Sequence, residues 1–575
     1  MKSKIFSVAV FCVLFVSTAF AQKPIVIVSV KNADALMKIG EKYADLVDKK
    51  SDFEKLKTQF ESFGGIVYDQ PAAVVMMIND KKAFGQFLFL PVSDLEKVIP
   101  LPMLNMMLAG QGAEIKKKQS GLYTLAIQGR RQNTTLEHSN NGLYIFDQAQ
   151  KSFIPKSGPS SLLEGLDKEY DIAIRVNLGN IPSDVQNNLL QMFDMLGMFL
   201  GGNPEVAAFL PQAKEVVSNI FKNVDAFTFG IKVDPQTGDA DVVVSVKAVS
   251  GSEFANIFEI GNKAKTNFVG FTNLDGTMIS ATTSSIPLDN NFRKQIPSVL
   301  NQRYEGIVAA LKTQGLKPNQ EKIASQLVEQ IRNAVLEIIA QPTVDAAFSV
   351  TNNSVIVGGI AMPDTKKIAT LISSIKSEAA DNVKIDYDTV EGYTLSSIKF
   401  DPPEGMVIAP TSPAVLLEGG SLLFVFGVKD NAACFAVGRD KYAETVLKAA
   451  ISGSKSPAAS PKHVYRQNNS EINKTFTKYY GETPESKVPT AKKLHDAIEK
   501  NQNAGVFVET DFKSDTATLK LSVDGSSLAF GIVSFMVARE TAAESARKFY
   551  ENQQPQRVPQ QNQYEDADDE FNPFN

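Results

Sequence analysis

FTFGIKVDPQTGDADVVVSV, residues 227–246, holds two runs of alternating apolar residues on either side of a turn. Phe227, Phe229, Ile231 and Val233 alternate first, and Val242, Val244 and Val246 alternate after Pro235-Gln236-Thr237-Gly238. Successive strand side chains point to opposite faces, so each run gives a sheet one apolar face. A turn bearing Asp and Gly between such runs predicts a β-hairpin. Ser252 then stands as an N-cap candidate for a following helix.

The same plan recurs along the chain. Ala72–Ile78 and Gln86–Val92 form one predicted hairpin, followed by a helix from Asp94. Ala347–Val350 and Val355–Met362 form another, followed by a helix from Asp364 with Ile368, Leu371, Ile372 and Ile375 on one stripe. Leu422–Val428 and Ala432–Val437 form a fourth, followed by a helix from Asp440. Helical segments precede the first three hairpins, so the unit reads as strand, two helices, hairpin, helix and further strands. Shifting the chain by 270 residues lays Tyr123-Thr124-Leu125 on Tyr393-Thr394-Leu395 and Asp94 on Asp364, which points to an internal duplication. The predicted class is α+β, with repeated units forming antiparallel sheets covered by helices.

The expected organisation is a signal peptide (1–21), a first α+β unit (22–168), a middle unit (169–266) that reads as a diverged copy, and a third unit repeating the first (267–451). A Ser-, Ala- and Pro-rich linker (452–464), a small C-terminal α+β region (465–551) and a disordered acidic tail (552–575) complete it. Lys2 and Lys4, the apolar run Ile5–Phe20 and Ala19-Phe20-Ala21 form the pattern of a secretory signal. This predicts export to the periplasm, the cell surface or the extracellular space. No later run reaches the roughly 20 apolar residues of a membrane helix.

Removal of residues 1–21 leaves 57 basic and 64 acidic side chains, a net charge of −7. That balance argues against nucleic acid as a partner. Cys434 is then the single cysteine, in an apolar strand-like run, and reads as a small buried residue.

FLFLPVSDLEKVIP (87–100) and YDIAIRVNLGNIPSDVQNNLLQMF (170–193) resemble stretches of uncharacterised families of exported bacterial α+β proteins. The likeness spans about residues 24–450 and consists of apolar patterns. It implies an envelope location and carries no activity, cofactor or site residue.

No nucleophile elbow, phosphate loop, dinucleotide fingerprint, zinc-protease motif or EF-hand is present. His138, His463 and His495 are far apart, so no catalytic, cofactor-binding or metal-ligating set is assigned. Asp234, Asp239 and Asp241 read first as turn chemistry, with a weak calcium site as the alternative.

One compositional feature stands out. Met103, Met106 and Met107 lie in LPMLNMMLAGQG, and Met192, Met195 and Met198 in LLQMFDMLGMFLGG. Such faces either fill gaps against a sheet or form adaptable lids over an apolar ligand. The expectation is therefore a non-enzymatic binding or interaction component that meets a protein or envelope partner. A carrier or chaperone for a lipid or other apolar ligand is the alternative, and an enzyme with a dispersed site the second alternative.

Overall fold

The structure is a computed structural model. It describes residues 23–535, less 366–381, 401–420, 456–462, 481–488 and several shorter stretches. The signal-like run, the tail and the helices predicted after Asp364 and near Ala542–Glu551 lie outside the described residues.

The chain opens with β1 (Lys23–Val30), α1 (Ala33–Leu46), α2 (Lys50–Glu61), β2 (Ala72–Ile78) and β3 (Phe84–Leu90). Then come α3 (Leu95–Val98), α4 (Leu101–Ala109), β4 (Ala113–Gln119), β5 (Leu122–Ile127), β6 (Thr134–Ser139), β7 (Gly142–Asp147) and α5 (Leu166–Glu169). β8 (Ile172–Asn177), α6 (Ser183–Leu200), α7 (Pro204–Asn223), β9 (Val224–Val233), β10 (Ala240–Ala248) and α8 (Glu253–Lys263) follow. After these stand β11 (Thr277–Pro287), α9 (Asn290–Thr313), α10 (Pro318–Ala340), β12 (Thr343–Thr351), β13 (Ile356–Ala361), β14 (Val383–Val390) and β15 (Tyr393–Phe400). The last are β16 (Leu422–Lys429), β17 (Ala432–Arg439), α11 (Asp440–Ser452), β18 (His463–Asn468), α12 (Asn469–Tyr480), α13 (Pro489–Lys500), β19 (Gly505–Phe512) and β20 (Thr516–Val523). A helix over 525–535, α14, closes the described chain.

The twenty strands of the described residues join one sheet, and every pairing among them is antiparallel. The order is β4-β5-β6-β7-β3-β2-β1-β8-β9-β10-β20-β19-β18-β11-β12-β13-β17-β16-β15-β14. Read inward from either end, the order is the same with ten added to each number. β1–β10 and β11–β20 are therefore topologically equivalent halves, joined where β10 pairs β20 from Ala240↔Val523 to Lys247↔Thr516. Tyr123-Thr124-Leu125 lies on β5 and Tyr393-Thr394-Leu395 on β15, at equivalent places. The α+β antiparallel architecture is as read from the sequence, but the units share one sheet. Their outer strands pair with each other: β1 with β8, β10 with β20, and β11 with β18 across the Ser- and Pro-rich stretch.

A smaller module recurs four times: a strand, a helix pair, then a hairpin whose first strand pairs with the opening strand. It is β1-α1-α2-β2-β3, β8-α6-α7-β9-β10, β11-α9-α10-β12-β13 and β18-α12-α13-β19-β20. Strand direction alternates across the sheet. β1 and β18 therefore deliver their helix pairs at one end of the strands, and β8 and β11 at the other. At the first end the helices have 14, 12, 12 and 12 residues. There Leu46 and Val47 meet Leu494, Ala529 and Val533, and Tyr43 donates its hydroxyl to the carbonyl of Gly238 in the β9–β10 turn. At the opposite end stand the long pairs, with 18, 20, 24 and 23 residues.

Both flanks of the sheet have packed cores. Phe268, Phe271 and Leu447 pack on Val357, Leu395, Val425 and Cys434. Phe153, Leu163, Leu166 and Tyr170 pack on Ile27, Val75, Phe87 and Tyr144. Both sheet edges are blunted against further pairing. On β4, the Asn105 side chain of α4 donates to the Ile115 carbonyl (3.0 Å) and accepts its N–H (2.7 Å), and Lys116, Lys117 and Lys118 are exposed beside it. On β14 the register breaks between Lys384 and Asp388, with Asp386 at φ 47°.

Candidate apolar binding face

Cross-strand register lines up one row of side chains over twelve adjacent strands. From β1 to β16 it runs Val30, Ile172, Ile231, Val242, Leu521, Val508, Tyr465, Ala281, Phe348, Gly358, Phe435 and Phe426. Two residues along, Val28, Ile174, Phe229, Val244 and Leu519 make the next row on the same face. At Gly358 a Cβ would sit 2.7 Å from Cε1 of Phe435, so that ring lies over the glycine and keeps the row apolar. On the other face of the central strands the matching row is Lys232, Asp241, Ser522, Phe507 and Arg466. Alternation therefore marks the Val-, Ile- and Phe-bearing face as the one a half-covered sheet buries.

That face is only partly roofed. Ile338 and Ala334 of α10 lie with Val344, Ile360 and Ala433. Phe258 of α8 packs on Phe512 with ring centroids 5.9 Å apart. α3 and α4 place Leu95, Leu104 and Ile99 with Leu136, Leu143 and Leu90. Between these roofs the face stays open, with Ile174 at 37%, Leu519 at 43% and Phe348 at 42% exposure. Among the described residues, the six large apolar strand residues that are exposed (Ile172, Ile174, Phe348, Ile356, Phe435, Leu519) all belong to this face. Strands about 4.8 Å apart carry the long row over roughly 50 Å. Within it Ile172, Phe348 and Phe435 are exposed, Gly358 is buried and the others are half-buried.

The methionine runs lie elsewhere. Met103, Met106 and Met107 point to solvent from α4, whose Leu104 faces the sheet. Met192 and Met195 are exposed on α6, and the side chain of Met198 lies outside the described residues. A cavity of about 730 Å³ between α6 and α7 is walled by Leu190, Phe193, Leu210 and Pro211, and the 2.8 Å Asp194–Lys214 ion pair sits at its rim. Among the described side chains, no methionine of either run lines its wall.

Charged groups at the strand ends are committed locally. A groove of about 580 Å³ is lined by Asp234, Asp239, Asp241, Asp524, Lys232 and Arg466. Asp234 accepts the N–H groups of Gln236 and Thr237, which hold its carboxyl below the usual carboxylate range. Asp239 accepts the N–H of Gly525, Asp241 takes the Ser522 hydroxyl and Lys520, and Asp524 accepts from Gly505, Ser526 and Ser527. Among the described residues no three His, Cys, Asp or Glu side chains stand together as metal ligands. Turn and cap chemistry accounts for the Asp cluster. Burial pushes the Cys434 thiol up to about 12, away from reactivity. It also lowers His138, which packs edge-on to Tyr123.

The sequence patterns marked most of the strands that build the open face, but not β1, β11 or β18, and pointed to none of its residues as a site. Its signal was the apolar alternation itself, which reads identically whether a helix covers the face or nothing does. No family model, no curated protein and no solved structure matches this chain.

Proposed function

We propose that this protein is a non-enzymatic binding component that holds an apolar partner on the open face of its sheet, in the exported compartment its first 21 residues suggest. The observation that carries this reading is that Ile172, Ile174, Phe348, Ile356, Phe435 and Leu519, side chains that belong in a core, meet solvent on one face of the sheet. Fully burying an exposed side chain of this kind contributes about 1.5–3 kcal/mol, so residues already more than half buried contribute about 1 kcal/mol each and a partner must cover many of them to offset the cost of association. No helix among the described residues is long and apolar enough to cross a membrane. A charge on the strip removes the driving force without touching a packed core. Ile174→Asp and Leu519→Asp should each reduce binding of the apolar dye bis-ANS to the native protein at least fivefold. Met106→Asp and Met195→Asp, on exposed helix faces, should leave it unchanged. Loss of dye binding in the methionine variants alone would move the site to the helices.

A further inference from the structure

We infer that Met103, Met106 and Met107 on α4 form a thioether site for a soft monovalent metal ion of the copper(I) class. The helix is sorted by side-chain chemistry. Leu101, Leu104 and Leu108 turn into the core over β4–β7, whereas the three methionines are 54%, 72% and 55% exposed. They are the only large apolar side chains that α4 exposes. Met77, Met278 and Met362, by contrast, are buried. The repeat does not call for sulfur here, because the 270-residue shift sets Ser373, Lys376 and Ser377 in sequence against the three methionines. Met103 stands one helical turn from both Met106 and Met107, with Cβ atoms about 5–6 Å apart. Each sulfur sits on a flexible unbranched arm, so the three can converge on one ion while the backbone of α4 stays in place. Thioethers are soft ligands that select copper(I), whereas calcium takes oxygen ligands and zinc is held by imidazole, thiolate or carboxylate. Three methionines on two turns offer far less area than a stable protein interface needs, which favours an ion over a macromolecule.

The test uses the full chain and copper(I), kept oxygen-free and reduced, in competition with bicinchoninate. Silver(I) is the air-stable stand-in for NMR of protein labelled at the methionine methyl groups. The wild-type protein should withdraw copper(I) from the competitor, and silver(I) should shift the methyl resonances of Met103, Met106 and Met107 together. Met103→Leu and Met106→Leu should each weaken copper(I) at least tenfold, and the triple leucine variant should lose one bound equivalent. Leucine keeps the volume and the apolar character, so only a sulfur-dependent ligand responds to the change. Zinc(II) and calcium(II) should leave the three resonances in place. Circular dichroism and the urea midpoint check that each variant is folded. A triple leucine variant that binds copper(I) as the wild type does would place the ligands elsewhere, at Cys434 or at Met192 and Met195, and overturn the inference. So would zinc(II) shifting the same resonances, or a wild-type protein that takes no copper(I) from the competitor. Binding of bis-ANS should be the same in the triple leucine variant and the wild type, so this inference and the apolar-face reading fail separately.

Discussion

Asp345 carries a buried carboxylate at 8% exposure, held by the N–H and the side-chain amide of Asn267, both at 3.0 Å. Burial outweighs those donors and raises its pKa above the usual carboxylate value. A raised folded-state pKa means the native state holds the proton more tightly than the unfolded chain. The stabilising contribution is full below the unfolded pKa of about 3.9 and is lost as pH rises through the folded value. Asp345→Asn keeps an acceptor for Asn267 and removes the charge. Its urea midpoint relative to wild type should therefore be higher at pH 7 than at pH 4. An identical difference at the two pH values would show that Asp345 is not desolvated. The carboxylates whose pKa values are lowered, such as Asp388 beside Lys448, act in the opposite direction and cancel in this comparison.

Among the elements, α4 shows how a helix protects a sheet. Its Leu104 packs inward, its methionines face out, and Asn105 occupies both free backbone groups of Ile115 on the edge strand. Replacing Asn105 with Ala should cost about 1–3 kcal/mol, because it leaves a half-buried N–H and C=O unpaired. It should also make the protein associate at high concentration, since an unpaired edge recruits strands. Urea unfolding and sedimentation velocity read the two effects. A variant as stable and as monodisperse as wild type would mean that the lysines alone protect β4. The N-cap at Asp94, whose side chain accepts the Glu96 N–H, was visible in the sequence because capping is local. The partnership of Asn105 with Ile115 was not visible, because it depends on α4 lying beside β4.

At the scale of the molecule, the two halves share one ladder, β10 with β20, with lesser contacts of α8 on β11 and β19 and the cluster of α1, α13 and α14. Each half has a continuous run of ten strands and its own flank core. Chains of residues 23–264 and 265–535, expressed together, should therefore co-purify as a one-to-one complex without a covalent link. Each alone should expose β10 or β20 and self-associate through it. If both halves fold yet ignore each other at micromolar concentration, the central ladder is not what unites them.

Local physics was enough for the sequence to specify most of the strands, the turns, the helix stripes and, in three of the four modules, the recurrence of strand, helix pair and hairpin; β18 and α12 of the fourth were not legible in it. Alternation of period two, helical spacing and turn residues such as Asp234 and Gly238 act within a few residues and leave their mark there. Only the tertiary structure decided that β1 meets β8, that β10 meets β20 and β11 meets β18, and so that the predicted units merge into one sheet. Those ladders are backbone hydrogen bonds between distant strands, which no residue type announces. It also decided that the strip around Ile174 and Leu519 stays open, because burial belongs to the neighbours that do or do not arrive over a side chain, and not to the side chain itself.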